Sequence, residues 1–214
     1  MKKKGIVFTG GSGPEKHFVE NYIKPGDTIV AADSGMDLAD SFGIVPDYLV
    51  GDMDSITDKT LIEKMPKDRI ILSNSEKDET DTELGIELLI SKGCQDIMII
   101  GGGGGRIDHF IGIFFLFYRE VYPRLWFMKN FMIHCIDRKM KIYGKIGSEV
   151  SFFPAGTEMT TMASSGLKWN LNALTWKIGD AGISNVILES PCMVSPKTGR
   201  LLMVSKLNEE LYVE

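Results

Sequence analysis

The stretch Thr28–Ser55, TIVAADSGMDLADSFGIVPDYLVGDMDS, decides the fold class. It opens on an apolar run, Thr28-Ile29-Val30-Ala31-Ala32, that reads as a buried strand. A helical pattern from Met36 to Phe42 follows, closed by Gly43, and then a second apolar run, Tyr48-Leu49-Val50. Continuous apolar strands joined through a helix belong to a parallel sheet covered on both faces. Working outward, Gly5–Thr9, Ile70–Leu72 and Ile97–Ile100 are further buried-strand runs, and Asp81–Lys92, closed by Gly93, is a further helix. Phe110–Phe117 is apolar enough to read as a buried helix. The first half is therefore an α/β domain with a mainly parallel sheet.

The pattern changes between Pro123 and Asn130. From Phe131 onward, short strand-like pieces are punctuated by Asp137-Arg138, Gly147-Ser148, Pro154-Ala155-Gly156, Gly179-Asp180 and Pro196-Lys197-Thr198-Gly199. Such spacing predicts a small antiparallel sheet or sandwich. The expected domains are 1–128 and 129–214.

The 214 residues suffice for a sizeable core. A net charge of −5 argues against nucleic acid as the main partner. Cys94, Cys135 and Cys192 are isolated and odd in number, the pattern of reduced cytosolic thiols rather than a disulfide frame or a zinc site. Behind Met1-Lys2-Lys3-Lys4 the apolar run is too short for a signal core, and no segment reaches membrane-spanning length. A cytoplasmic protein without membrane partners is expected. His17, His109 and His134 show no ligand spacing.

Ligands of parallel sheets sit beyond the carboxyl ends of the strands, where Asp33, Asp52, Asp54 and Asp108 fall. In Gly51-Asp52-Met53-Asp54-Ser55, residues i and i+2 of an extended segment point the same way, so both carboxylates can share a cation; a solvated turn is the competing reading. Mg²⁺ carrying nucleotide phosphates is the economical neutraliser of such acids. Thr80-Asp81-Thr82-Glu83 is a capping box, and Lys77 and Asp78 just before it are more than capping requires. Gly101–Gly105 before Arg106-Ile107-Asp108 suits a phosphate nest with an Arg to fork the oxygens. Gly10-Gly11-Ser12-Gly13 is a weaker turn of the same kind, and Asp33-Ser34 is a helix cap or a ligand contact. Trp169, Ser184 and Asn185 could suit a flat cationic ring, although a core Trp with turn residues is the favoured reading of these residues alone.

Taken in order, Asp33-Ser34-Gly35, Gly51–Ser55, Lys77-Asp78-x-Thr80-Asp81, Gly105-Arg106-x-Asp108-His109, Gly166–Leu171 and Ser184-Asn185 resemble the motif set of the thiamine pyrophosphokinases. The resemblance spans Gly5 to about Val204. It implies an α/β nucleotide domain followed by a β-sandwich, in a homodimer with thiamine at the subunit interface. It implies pyrophosphate transfer from ATP to the thiamine hydroxyl with Mg²⁺ held by Asp52, Asp54 and Asp81. Arg106 and Asp108 fall in the phosphate site; Asp33, Ser34, Lys77 and Asp78 on the nucleotide; Trp169, Ser184 and Asn185 in the thiamine pocket. Two departures stand out: Ile113, where many members have Asn, and the unusually glycine-rich 101–105 turn. The same acids would serve a metal-dependent phosphohydrolase or a non-catalytic thiamine or nucleotide sensor.

Overall fold

The computed structural model describes residues 2–73, 79–156, 159–207 and 211–214. The chain divides into two compact units, one of residues 1–116 with 126–129, the other of residues 117–125 with 130–214.

In the first unit the apolar runs become β1 (Lys4–Thr9), β2 (Thr28–Ala32), β3 (Tyr48–Gly51), β4 (Ile70–Leu72) and β5 (Asp96–Gly101), with β6 (Leu125–Phe127) beside β5. The strand order is β5-β1-β2-β3-β4, and each of these neighbours pairs in parallel. The chain thus builds outward from β1 to β4 and then returns to the other side of β1. That reversal opens a crevice beyond the carboxyl ends of the central strands. Ile6, Val7, Phe8, Ile99 and Ile100 have no exposed surface, as strands covered on both faces require.

The helices are α1 (Gly35–Ser41), α2 (Thr60–Glu63), α3 (Asp81–Ser91) and α4 (Ile107–Leu116). The capping box at α3 forms as expected: Thr80 Oγ1 accepts from Glu83 N, and Thr80 N donates to Glu83 Oε2 at 2.8 Å. Thr80→Ala is expected to cost about 1 kcal/mol, read as a lower denaturant midpoint.

Two expectations need correction. β4 is the sheet's edge rather than a buried strand, with Leu72 74% exposed. α4 is not buried all round: Ile113 and Leu116 face inward, while Ile107, Ile111 and Phe115, spaced four apart, are exposed. A run of apolar residues does not reveal which stripe of a helix finds a partner.

The second unit is antiparallel throughout. One sheet orders β12 (Gly182–Val186), β9 (Glu149–Ala155), β14 (Arg200–Lys206) and β7 (Phe131–Ile136). The other orders β11 (Thr175–Trp176), β10 (Thr160–Ser165), β13 (Cys192–Thr198), β8 (Met140–Tyr143) and β15 (Tyr212–Val213). Strands β13 and β7 approach each other between the two sheets. All three cysteines are free and buried. No helix among the described residues is long and apolar enough to cross a membrane.

Candidate active site

A cavity of about 500 Å³ lies beyond the carboxyl ends of the parallel strands, lined entirely by first-unit residues. Thr9 and Gly10 reach it from β1, Asp33 and Ser34 from β2, Ser55 from the loop after β3, and Thr80–Thr82 from the start of α3. Arg106, Asp108 and Ile113 complete it from α4 and the turn before it. A hydrogen bond of 2.6 Å between Thr9 Oγ1 and Thr82 Oγ1 ties the end of β1 to the first turn of α3. No motif in the sequence signals that pairing.

The turn after β3 is built differently from the expected extended segment. Met53 has φ 64°, left-handed backbone that a non-glycine residue rarely adopts. Its side chain is buried among Ala31, Met36, Leu49, Ile56, Leu61 and Met65, and Lys59 Nζ bonds its carbonyl. Burial of Met53 holds the strained turn, and the strain turns Asp52 and Asp54 outward together. Asp54 N closes the turn onto Asp52 Oδ1 at 3.2 Å.

Asp33, also left-handed at φ 48°, joins them. Single carboxylate oxygens of Asp33, Asp52 and Asp54 lie within 4.8 Å of one another. Ser55 Oγ donates to Asp33 Oδ2, while Asp33 Oδ1 is buried without a partner. The trio therefore contains Asp33 where Asp81 was expected. Asp81 stands nearby: a Cβ on Gly51 (φ 135°) would lie 3.2 Å from both Asp81 Oδ1 and Asp33 Cβ. Ser73 Oγ donates to Asp81 Oδ1 at 3.3 Å. The carboxyl of Asp54 is raised above its ordinary value, chiefly by the neighbouring Asp52 charge, then by desolvation and by Asp33. Crowded carboxylates with one buried oxygen left unbonded form a donor set suited to a hard divalent cation.

Ser34 makes no side-chain capping bond, and its Oγ packs against Gly10, where a Cβ would come within 2.3 Å. It is a pocket wall rather than a cap. Lys77 and Asp78 lie outside the described residues.

The glycine run is not a free nest. Gly102 N donates to Gly10 O at 2.9 Å and Gly103 N to Ser12 O at 3.1 Å, so the two glycine loops hold each other. Gly101, Gly102, Gly104 and Gly105 all have positive φ. At Gly102 a Cβ would meet Ile113 Cδ1 at 2.5 Å, so glycine here and isoleucine there fit as a pair. Trp126 Nε1 donates to Gly101 O at 2.7 Å, anchoring the loop's start.

Arg106 forks Asp108, Nε to Oδ1 at 3.2 Å and Nη2 to Oδ2 at 2.5 Å, rather than standing open for phosphate. Those bonds pull the Asp108 carboxyl down to about 2. Both residues are exposed, so the pair opens at little cost when a better anion arrives. In Arg106→Gln, Asp108 is expected to titrate back near the ordinary value of about 3.9, followed by carboxyl NMR. Because its carboxyl is depressed, any stability it lends is present above the unfolded value and lost as pH falls through about 2.

Three other expected residues lie in the second unit. Trp169 is 52% exposed, not a core Trp, and Lys168 Nζ sits 4.4 Å from its ring centroid. Asn185 is buried, and its amide is committed to Trp169: Oδ1 accepts from Trp169 N at 3.1 Å and Nδ2 donates to Trp169 O at 2.7 Å. Ser184 is exposed and left-handed at φ 57°, its N–H held by Ser151 Oγ.

The sequence matches two family models, "Thiamin pyrophosphokinase, catalytic domain" over residues 19–127 and "Thiamin pyrophosphokinase, vitamin B1 binding domain" over residues 133–201. It is 31% identical over 176 residues to a thiamine pyrophosphokinase of Bacillus subtilis, covering 76% of this chain and 79% of that protein. The crystal structure of thiamine pyrophosphokinase from Bacillus subtilis superposes with a TM-score of 0.78 at 25% identity, over 97% of this chain and 100% of that one. The enzyme from Candida albicans has the same fold, with a TM-score of 0.71 at 17% identity over 97% and 90% of the two chains. The chain belongs to the thiamine pyrophosphokinase family.

Proposed function

We propose that this protein transfers pyrophosphate from ATP to the hydroxyl of thiamine, releasing AMP. The carrying observation is the convergence of Asp33, Asp52 and Asp54, with Asp33 and Asp81 lining a nucleotide-sized cavity, in a chain with both family modules. The thiamine hydroxyl oxygen attacks the β-phosphorus and releases its proton to water, the bond from that phosphorus to the oxygen bridging to the α-phosphorus breaks, and AMP leaves with that oxygen.

In this reading residues 1–128 bind ATP, and residues 129–214 bind thiamine and pair two subunits with thiamine at their interface. Asp33, Asp52 and Asp54, with Asp81 beside them, would hold Mg²⁺. Bound there, Mg²⁺ supplies charge neutralisation across the phosphate oxygens. Arg106 exchanges Asp108 for a phosphate, which frees the Asp108 carboxylate beside the reacting groups. Ser34 and Thr80 shape the wall against the nucleotide. Most of the rate enhancement is positioning and electrostatics.

Trp169 offers an exposed ring face that already attracts a Lys ammonium, as a permanently charged thiazolium would be attracted. Asn185 acts by bracing the Trp169 backbone, and Ser184 supplies the polar edge. The three free, buried cysteines support a cytoplasmic setting.

The test is one incubation of protein, ATP, Mg²⁺ and thiamine, with AMP and thiamine diphosphate read together. Equal amounts of both, formed only when thiamine is present, are expected. Thiamine-independent phosphate release would turn the reading to a phosphohydrolase, and binding without turnover to a sensor. Trp169→Ala is expected to raise the KM for thiamine about tenfold or more while kcat changes less; an unchanged KM would remove Trp169 from the vitamin site.

A further inference from the structure

A second cavity, of about 540 Å³, is lined only by second-unit residues and shares none with the acidic pocket. Its chemistry centres on Arg200, the first residue of β14. The Arg200 guanidinium lies over the Tyr122 ring, with Cζ 3.7 Å from the centroid. Gly156 approaches it closely: a Cβ there would stand 3.2 Å from Nε and 3.3 Å from Nη2. Its φ of 87° makes glycine the natural occupant. Nη2 donates to the Arg119 carbonyl at 2.7 Å, and Nε is buried without an acceptor.

Among the described residues, the carboxylates on the walls do not pair with this cation. Asp137 is already neutralised by Arg124 and Arg138, each at 3.3 Å, and accepts from the Tyr122 hydroxyl at 2.9 Å. Among the described residues no carboxylate forms an ion pair with Arg200, Glu120 on the same wall included. Arg119 adds a second guanidinium to the lining. A guanidinium fixed flat, with a donor lacking an acceptor, matches the planar recognition of oxyanions.

We propose that this cavity binds a small oxyanion-bearing molecule, a phosphate or a carboxylate, on Arg200. The bound anion supplies the counter-charge that the carboxylates on the walls give to other partners or withhold. Nothing in the proposed pyrophosphoryl transfer uses this site, so it would serve a second small ligand.

Equilibrium dialysis of the full chain without divalent metal tests it, with labelled inorganic phosphate in one arm and labelled citrate in the other. Arg106→Gln removes the phosphate fork of the acidic pocket from the measurement. One equivalent of either anion is expected to remain bound in wild type and in Arg106→Gln with a Kd of about 1 mM or tighter. Binding should weaken at least about tenfold in Arg200→Gln and less in Arg200→Lys, which keeps the charge but loses the fork. Which arm binds assigns the ligand class. If Arg200→Gln fails to fold, the Arg200 Nε–H resonance of the wild type decides, since a saturable shift on titration supports the site. A resonance unmoved by both anions, no saturable binding in either arm, or binding lost in Arg106→Gln but kept in Arg200→Gln overturns it.

Discussion

Asp54→Asn is expected to reduce thiamine diphosphate formation by about a thousandfold or more, with no loss of folding stability in metal-free buffer. The two halves of that expectation come from one arrangement. Asp54 is exposed, belongs to three mutually close carboxylates, and has its carboxyl raised by Asp52 first and by Asp33 among the other causes. A carboxyl raised in the fold weakens the folded state once it ionises, so removing the charge above that titration leaves the protein as stable or more so. Asn keeps the shape of the turn, and Asp54 N still closes onto Asp52. What disappears is one ligand to the proposed cation. Turnover near wild type, measured as AMP and thiamine diphosphate at saturating Mg²⁺, would remove the metal assignment. A large drop in thermal midpoint without metal would instead make Asp54 a structural residue.

Gly35→Ala is expected to act in the opposite way, through the fold. A Cβ at Gly35 would stand 2.1 Å from Phe8 O, 2.4 Å from Phe8 C and 2.8 Å from Thr9 Cα. These are backbone atoms of β1, which is paired on both sides, so no flexible side chain can yield. α1 must lift from the sheet, at about 3 kcal/mol or more, lowering the thermal midpoint by roughly 10 °C. Gly43→Ala, just past the other end of α1, is the control. Its φ of 69° is strained for alanine, but nothing lies within 4 Å, so about 1 kcal/mol is expected. Equal effects at the two positions would show that α1 and β1 relax around the added methyl, and that the close approach does not dominate at Gly35.

Much of the α/β unit is legible along the chain because the signals are local. Val30-Ala31-Ala32 and Tyr48-Leu49-Val50 are apolar without interruption because their strands are covered on both faces. The α3 boundary is written in Thr80 and Glu83, which bond each other across one turn. The acids after β2 and β3 fall where chain direction alone puts strand ends. Exposure is less legible, since Leu72 and Phe115 are as apolar as buried neighbours and differ only in lacking a covering partner.

The motif positions needed the fold to acquire meaning. Asp52 and Asp54 face one way because Met53 is anchored in the core in a left-handed turn, not because the segment is extended. Asp33 joins them because β2 and β3 are adjacent in parallel register, which brings Ala32 opposite Val50. Arg106 faces Asp108 rather than open space, and Asn185 is bound to Trp169, because each found the nearest complementary group once the backbone was in place.

By itself the sequence determined the succession of strands and helices, the capped start of α3 and the change to antiparallel structure after Asn130. Each rests on side chains a few residues apart, whose periodicity and turn preferences act before any long-range contact forms. Only the tertiary structure decided which three carboxylates converge, which glycines must remain glycines and which tryptophan faces outward. Those depend on distances between segments far apart in the chain, and strand pairing and packing, not local preference, set such distances.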